Sequence, residues 1–155
     1  MISKKDLQIL AHLRQNARQT LTHMSKKTSI PISTIYDRLK LHDGDLIQKH
    51  TCLLDFNKLG FSTRAFIMLR VDRACREEIR KHLVNHLNVN TVIKINNNYD
   101  FLIEAVFRQI RELEDFLEKL EDKYKIKSKQ VFYIIEDLKR ESFMADPEMI
   151  QIYDI

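Results

Sequence analysis

The stretch TLTHMSKKTSIPISTIYDRLKLH, residues 20–42, decides how the first third of this chain folds. Leu21, Met24 and Thr28 share one face of a short helix capped by Thr20, and Ile32, Ile35 and Leu39 line one face of another. Between them Ser29-Ile30-Pro31 interrupts the pattern. Pro31 suits a helix start, where a missing N–H costs little. Upstream, SKKDLQILAHLRQN (residues 3–16) sets Leu7, Leu10 and Leu13 at spacings of three beside Ile9, with Ser3 as the N-cap. Three short helices with a tight break before the third predict a helix-turn-helix over residues 1–47.

With Ile35 and Leu39 turned inward, Ser33, Thr34, Tyr36, Asp37, Arg38 and Lys40 occupy the outer face of the third helix. Hydroxyl, phenol, guanidinium and ammonium groups suit a groove with phosphate walls and base edges at its floor. Asp37 either accepts from a cytosine amino group or orients Arg38. Lys26 and Lys27, closing the second helix, fit phosphate contacts. Charge points the same way: residues 1–60 hold ten Lys/Arg against five Asp/Glu, whereas residues 61–155 hold sixteen against seventeen. A basic first third on a near-neutral remainder suggests a polyanionic partner. The same residues, Arg14 and Arg18 among them, also describe an ordinary solvated surface, and charge alone does not separate the two.

Beyond Asp43-Gly44-Asp45, a turn, Leu46-Ile47 and residues 51–54 read as extended, the wing or linker strand of residues 48–61. From Ser62 the pattern changes. Residues 65–71, AFIMLRV, form an apolar run expected as a buried strand. A helix over 75–87 turns Ile79, Leu83, Val84 and Leu87 inward, and strands follow at 91–95 and 101–107. A helix over 109–124 carries Ile110, Leu113, Phe116, Leu117 and Leu120 on one stripe, and a last strand spans 130–135. The order βαββαβ over residues 62–140 predicts a ferredoxin-like α+β sandwich with both helices on one face of a four-stranded antiparallel sheet. The apolar strands suggest that the other face is buried too, which calls for a second subunit. Residues 141–155 carry Phe143, Met144, Met149, Ile150, Ile152, Tyr153 and Ile155, apolar enough to dock on their own domain or a neighbouring copy.

Several classes are excluded or unsupported. No apolar run approaches a membrane span, and the N-terminus lacks the pattern of a signal peptide, so a cytoplasmic protein is expected. Cys52 and Cys75 have no CxxC spacing, so reduced thiols are expected rather than a disulfide or zinc site. His82 and His86 have a metal-compatible i, i+4 spacing, but nothing obvious completes a site. No GxSxG, P-loop, HExxH or GxGxxG is present, and two glycines cannot build a phosphate cradle, so neither an enzyme nor a cofactor is expected.

Taken together, the three-helix unit, LLDFNKLGF (residues 53–61), the βαββαβ order and NNNYDFLI (residues 96–103) resemble the Lrp/AsnC (leucine-responsive, feast/famine) transcription regulators over residues 3–140. The most specific markers are Leu54-Asp55 followed by Lys58-Leu59-Gly60, and Tyr99-Asp100 ahead of an apolar strand. The resemblance implies double-stranded DNA as partner, a C-terminal domain for dimerisation, and assembly into octamers or other higher forms. It also implies an amino-acid effector near Asn96, Asn97, Asn98, Tyr99 and Asp100, at contacts between dimers. This chain departs from the family pattern in four places. Ser29 stands for the usual turn glycine, Pro31 for a frequent serine, and Asn97 for the glycine before the Tyr-Asp pair, while RLKLHDGDLI is about one residue short. Siroheme decarboxylases resemble the same two-domain plan. Their Arg-Arg-Ile-Gly-like run is replaced here by Gln48-Lys49-His50-Thr51. A small-molecule sensor without DNA binding is the other alternative.

Overall fold

The computed structural model describes residues 2–152, apart from the side chain of Gln151; the tail residues Tyr153 and Ile155 lie outside the described residues. The chain divides into two compact units. One runs to Leu53 and takes in the chain again from Leu138; the other is Leu54–Asp137.

In the first unit, α1 (Lys4–Gln15), α2 (Leu21–Thr28) and α3 (Ile32–His42) follow from caps and apolar periodicity. Ser3 and Asp6 form a reciprocal capping box at the start of α1, and Thr20 Oγ1 accepts from His23 N at 3.1 Å at the start of α2. Ile9, Met24, Ile30 and Ile35 make the core, with Leu13, Leu21 and Leu39 packed around them. Ile32, expected inward, is 45% exposed, because it sits in the first turn of α3 before the helix reaches that core. Ser29 ends α2 with φ 58°, the left-handed turn that favours glycine. Pro31 is the N-cap of α3, and its carbonyl accepts from Ile35 N at 3.0 Å.

The expected wing strands do not form among the described residues. After α3 the chain turns at Gly44 (φ 78°) and makes a single parallel bridge between Asp43 and Ile47, while residues 48–55 have no regular structure. The tight loop supplies its own hydrogen bonds: Ile47 N donates to His42 O at 2.9 Å, and Gly44 N to Ile47 O at 3.0 Å. The returning C-terminal segment packs Ile150 against Leu7 and Ala11 of α1, flanked by Ile2 and Met144. The tail therefore docks on the helical unit rather than on the sheet domain that precedes it in sequence.

The second unit is the βαββαβ sandwich. Its strands are β1 (Thr63–Val71), β2 (Val89–Lys94), β3 (Phe101–Phe107) and β4 (Ile126–Tyr133), its helices α4 (Arg76–Asn85) and α5 (Ile110–Lys123). Spatial order is β2-β3-β1-β4, every pairing antiparallel. Ala65, Ile67 and Leu69 of β1 and Ile103 and Ala105 of β3 pack with Ile79 and Leu83 of α4 and with Leu113, Phe116, Leu117 and Leu120 of α5.

Four expectations are corrected here. The apolar run in β1 alternates in burial, so Phe66 and Met68 leave the core and face the opposite side of the sheet. Val84, Leu87 and Ile110 are exposed, because α4 is short and ends at Asn85 and Ile110 opens α5 outside the stripe that meets the sheet. β2 begins at Val89, ahead of the expected 91. β4 begins at Ile126, four residues before the expected 130. There the alternation of IKSKQ hides under lysines: Lys127 and Lys129 sit on an edge strand, where charge is tolerated and discourages further pairing. No described helix is long and apolar enough to cross a membrane.

Candidate nucleic-acid interface

The third helix exposes a polar face. Ser33, Tyr36, Asp37 and Lys40 are exposed, Thr34 and Arg38 are partly so, and Ile35 is fully buried beneath them. Tyr36 presents more than half of its surface (55%). Asp37 is exposed and makes no ion pair with Arg38 among the described residues; a different carboxylate does. Arg38 Nη1 lies 3.6 Å from Asp6 Oδ2, and Asp6, three residues into α1, is inaccessible to solvent. His42, one turn beyond Arg38, brings Nε2 to 3.1 Å from Asp6 Oδ1. That contact is close but not aligned as a hydrogen bond, and Asp6 Oδ1 and His42 Nε2 are otherwise without partners.

Asp6 is the residue that sequence reading missed. Its Oδ2 accepts from Ser3 N at 2.7 Å and from Ser3 Oγ at 2.6 Å. Burial pushes its pKa up, but the Ser3 bonds, then His42 and Arg38, outweigh burial and hold the carboxyl below the usual aspartate range. Asp6 is thus an ionised group inside the helical unit, with two cationic or donor side chains of α3 gathered on it. The signal that could have found it is the Ser3-x-x-Asp6 spacing of a capping box. The reach to α3 needs the fold.

Lys26 and Lys27 are both exposed at the end of α2. Lys27 also lines a cleft of about 360 Å³ with His12, His23 and Gln8 on one side and Asp146 and Glu148 of the tail on the other. Burial first, and then the nearby His23 and Lys27, push the His12 imidazole down from its ordinary value. Arg14 is turned to the tail: its Nε donates to Phe143 O at 2.6 Å and Nη2 reaches the Glu141 carboxylate at 3.2 Å.

The second candidate site, residues 96–100, is a loop between β2 and β3. Asn97 and Asn98 adopt φ 61° and 69°, so the left-handed turn survives without the glycine, on the residue type that tolerates it best after glycine. Asn96, Asn97 and Asn98 are exposed and Tyr99 half-buried, its hydroxyl 3.5 Å from Ser128 Oγ. Asp100 is committed to structure: Oδ2 accepts from Val71 N at 2.8 Å, and Oδ1 pairs with Arg76 Nη2 at 2.5 Å. It thereby ties the loop to the end of β1 and the start of α4. Arg76 Nε, buried beside it, has no partner.

Among the described residues no three His, Cys, Asp or Glu side chains converge to hold a metal. His82 and His86 instead pack on aromatic rings, His82 with Tyr124 at 5.6 Å and His86 with Phe116 at 4.6 Å between centroids. Gln48, Lys49 and His50 are exposed, and His50 lies 3.5 Å from Asp43.

A helix-turn-helix with an outward polar face on its third helix, joined to a ferredoxin-like domain, defines a DNA-binding protein with an attached regulatory domain. Comparison with known proteins specifies the class. A winged helix-turn-helix DNA-binding family matches residues 2–41, and the Lrp/AsnC ligand binding domain family matches residues 64–144. The chain is similar to the HTH-type transcriptional regulator FL11 of Pyrococcus horikoshii, 29% identical over 114 residues, covering 73% of this chain and 76% of that one. It is also similar to the glutamate uptake regulatory protein of Zymomonas mobilis, 24% identical over 151 residues, covering 92% and 90%. In fold it matches a transcriptional regulator from Neisseria meningitidis solved with L-Met, TM-score 0.83 at 22% identity, covering 90% of this chain and 94% of that one. The chain belongs to the Lrp/AsnC family: it is a DNA-binding transcription regulator.

Proposed function

We propose that this regulator reads duplex DNA with the outer face of α3, acts as a homodimer or a larger assembly of dimers, and takes a small effector, an amino acid or similar molecule, at the loop of residues 96–100. The observation that carries the DNA contact is the split personality of α3. Ile35 is fully buried, while Ser33, Tyr36, Asp37 and Lys40 are open to solvent and Arg38 is half-open. Thr34 and Arg38 complete the face that enters the groove, and Lys26 and Lys27 take phosphates at its margin.

Self-association is supported by the sheet. The side that carries no helix presents Phe66 and Met68 of β1, Leu102 of β3, Ile93 of β2 and Phe132 of β4, in register across four strands. Half-buried and exposed apolar side chains in one patch call for a cover, and a second copy supplies it. Two copies present two α3 helices to two half-sites. For the effector, Asn96, Asn97, Asn98 and Tyr99 are the groups free to meet a ligand, whereas Asp100 holds the loop in shape. An amino-acid ligand is in keeping with the L-Met of the Neisseria structure. The work of the chain is binding rather than catalysis, in the cytoplasm.

The test is retardation of genomic fragments by the full chain at two salt concentrations. Binding that weakens steeply with salt is expected, through counterion release at several phosphates. No retardation of any fragment at low salt overturns the DNA reading. Light scattering at the same protein concentration reads the dimer, and a thermal-shift survey of the twenty amino acids reads the effector.

A further inference from the structure

Three groups of two helices meet at one carboxylate. Asp6 of α1 is closed to solvent, its Oδ2 already takes two donors from Ser3, and its remaining capacity faces α3. Arg38 and His42, four residues apart and so on the same side of α3, approach it at 3.6 and 3.1 Å. Arg38 is also the one arginine on the face proposed to enter the groove, and 39% of its side chain remains exposed.

These facts do not fit a buried pair serving stability alone. Such a pair encloses both partners, whereas here the anion is fully enclosed and the cation emerges at the surface. A carboxylate 3.6 Å beneath a guanidinium draws it by charge rather than through an aligned hydrogen bond, and so narrows where its N–H donors point. It also offsets part of the positive charge, which lowers the attraction for any phosphate and leaves directed hydrogen bonding as what Arg38 offers. Base discrimination depends on such direction, and non-specific affinity on charge.

We infer that Asp6 is a positioning residue for sequence discrimination: from within the helical unit it aims Arg38 at the base edges. This rests on the reading of α3 as the DNA-contacting helix. Asp6→Asn keeps shape and the oxygen that accepts from Ser3, but it removes the negative charge beneath Arg38 and turns its amide N–H toward His42, so no charge holds the guanidinium in place. The consequence is a loss of choice rather than a loss of binding.

The experiment uses the full chain and a duplex selected by it from a random library, with a scrambled duplex as reference. The readout is the ratio of the two affinities, with melting curves confirming that each variant is folded. Asp6→Asn is expected to reduce that ratio roughly tenfold, the scale of one well-aligned arginine–base contact, while affinity for the scrambled duplex holds or rises. In an Arg38→Ala background the same substitution is expected to change the ratio no further, because Asp6 acts through Arg38. An unchanged ratio in folded Asp6→Asn, or an equal drop with and without Arg38, overturns the inference. Should Asp6→Asn not fold, Ser3→Ala, which strips the hydroxyl donor from the carboxylate while the backbone N–H stays and so loosens its seat, is expected to show the same Arg38-dependent drop at smaller size; no drop overturns the inference. A wild-type chain that selects no duplex marks the failure of the DNA reading itself, and selection followed by an indifferent Asp6→Asn marks the failure of this one.

Discussion

Asp6 and Glu104 are both carboxylates closed to solvent, each facing an arginine, one in the helical unit and one in the sheet. Glu104 lies on the helix-free side of β3, where Arg64 Nε reaches it at 2.5 Å, Asn90 Nδ2 at 2.6 Å and Thr91 Oγ1 at 3.0 Å. Its arginine is spoken for twice over, because Arg64 Nη1 also meets Asp137 at 2.6 Å, and only 15% of that side chain is exposed. Among the described residues Arg38 has a single ion-pair contact, at 3.6 Å, and keeps 39% of its side chain exposed. The same pair of residue types thus does two different jobs. In the sheet Arg64, Asn90 and Thr91 all donate to Glu104, and the network locks strands β1, β2 and β3 together. In the helical unit the acid is a fixed support for a group that works elsewhere.

Substitutions sharpen that contrast in order of size. Glu104→Ala leaves Arg64 under-paired in a nearly closed site, and should lower the stability of the sheet unit by about 3 kcal/mol, read from urea unfolding. Asp6→Ala removes a cap and a buried acceptor while Arg38 can turn to water, so a smaller loss of about 2 kcal/mol is expected in the helical unit. Equal losses from the two would break the comparison. Ser29→Gly should raise the melting point of the helical unit, by relieving roughly 1 kcal/mol of left-handed backbone strain at φ 58°. The sheet unit should not respond.

The smallest effect concerns pH. Burial, the larger cause, and neighbouring cations hold the His82 and His86 imidazoles below their ordinary value of 6.5. A histidine with a lowered folded-state pKa contributes stability above 6.5 and loses it as pH falls through the folded value. The sheet unit should therefore weaken on mild acidification, and His86→Gln should flatten that slope. An unchanged slope would remove His86 as its source.

Much of this molecule is legible in the sequence because its elements are periodic. The spacing of Leu7, Met24 and Ile35 finds three helices, and the apolar run at 65–71 finds β1, since burial is what those patterns encode. Ends are less legible. β4 starts among lysines because an edge strand tolerates charge, and Leu46-Ile47 and residues 51–54 look extended yet the described residues give them only the Asp43–Ile47 bridge. In the candidate site, the outward set on α3 follows from helical geometry alone once Ile35 is turned inward. The partnership of Asp6 with Arg38 does not, because the two are thirty-two residues apart and meet only after α1 and α3 pack. Asp100 is similar: its residue type suggests a loop cap, but Val71 and Arg76 as its partners are a product of tertiary structure.

The lysines of β4 have one more consequence. A sheet with an apolar face and two free margins could grow in two directions, face to face or rim to rim, and only the first kind of growth stops by itself. Lys127 pairs with Asp72 at 3.3 Å and Lys129 with Glu121 at 2.8 Å, so a strand adding at that rim would meet two anchored charged side chains, and growth of the second kind is disfavoured.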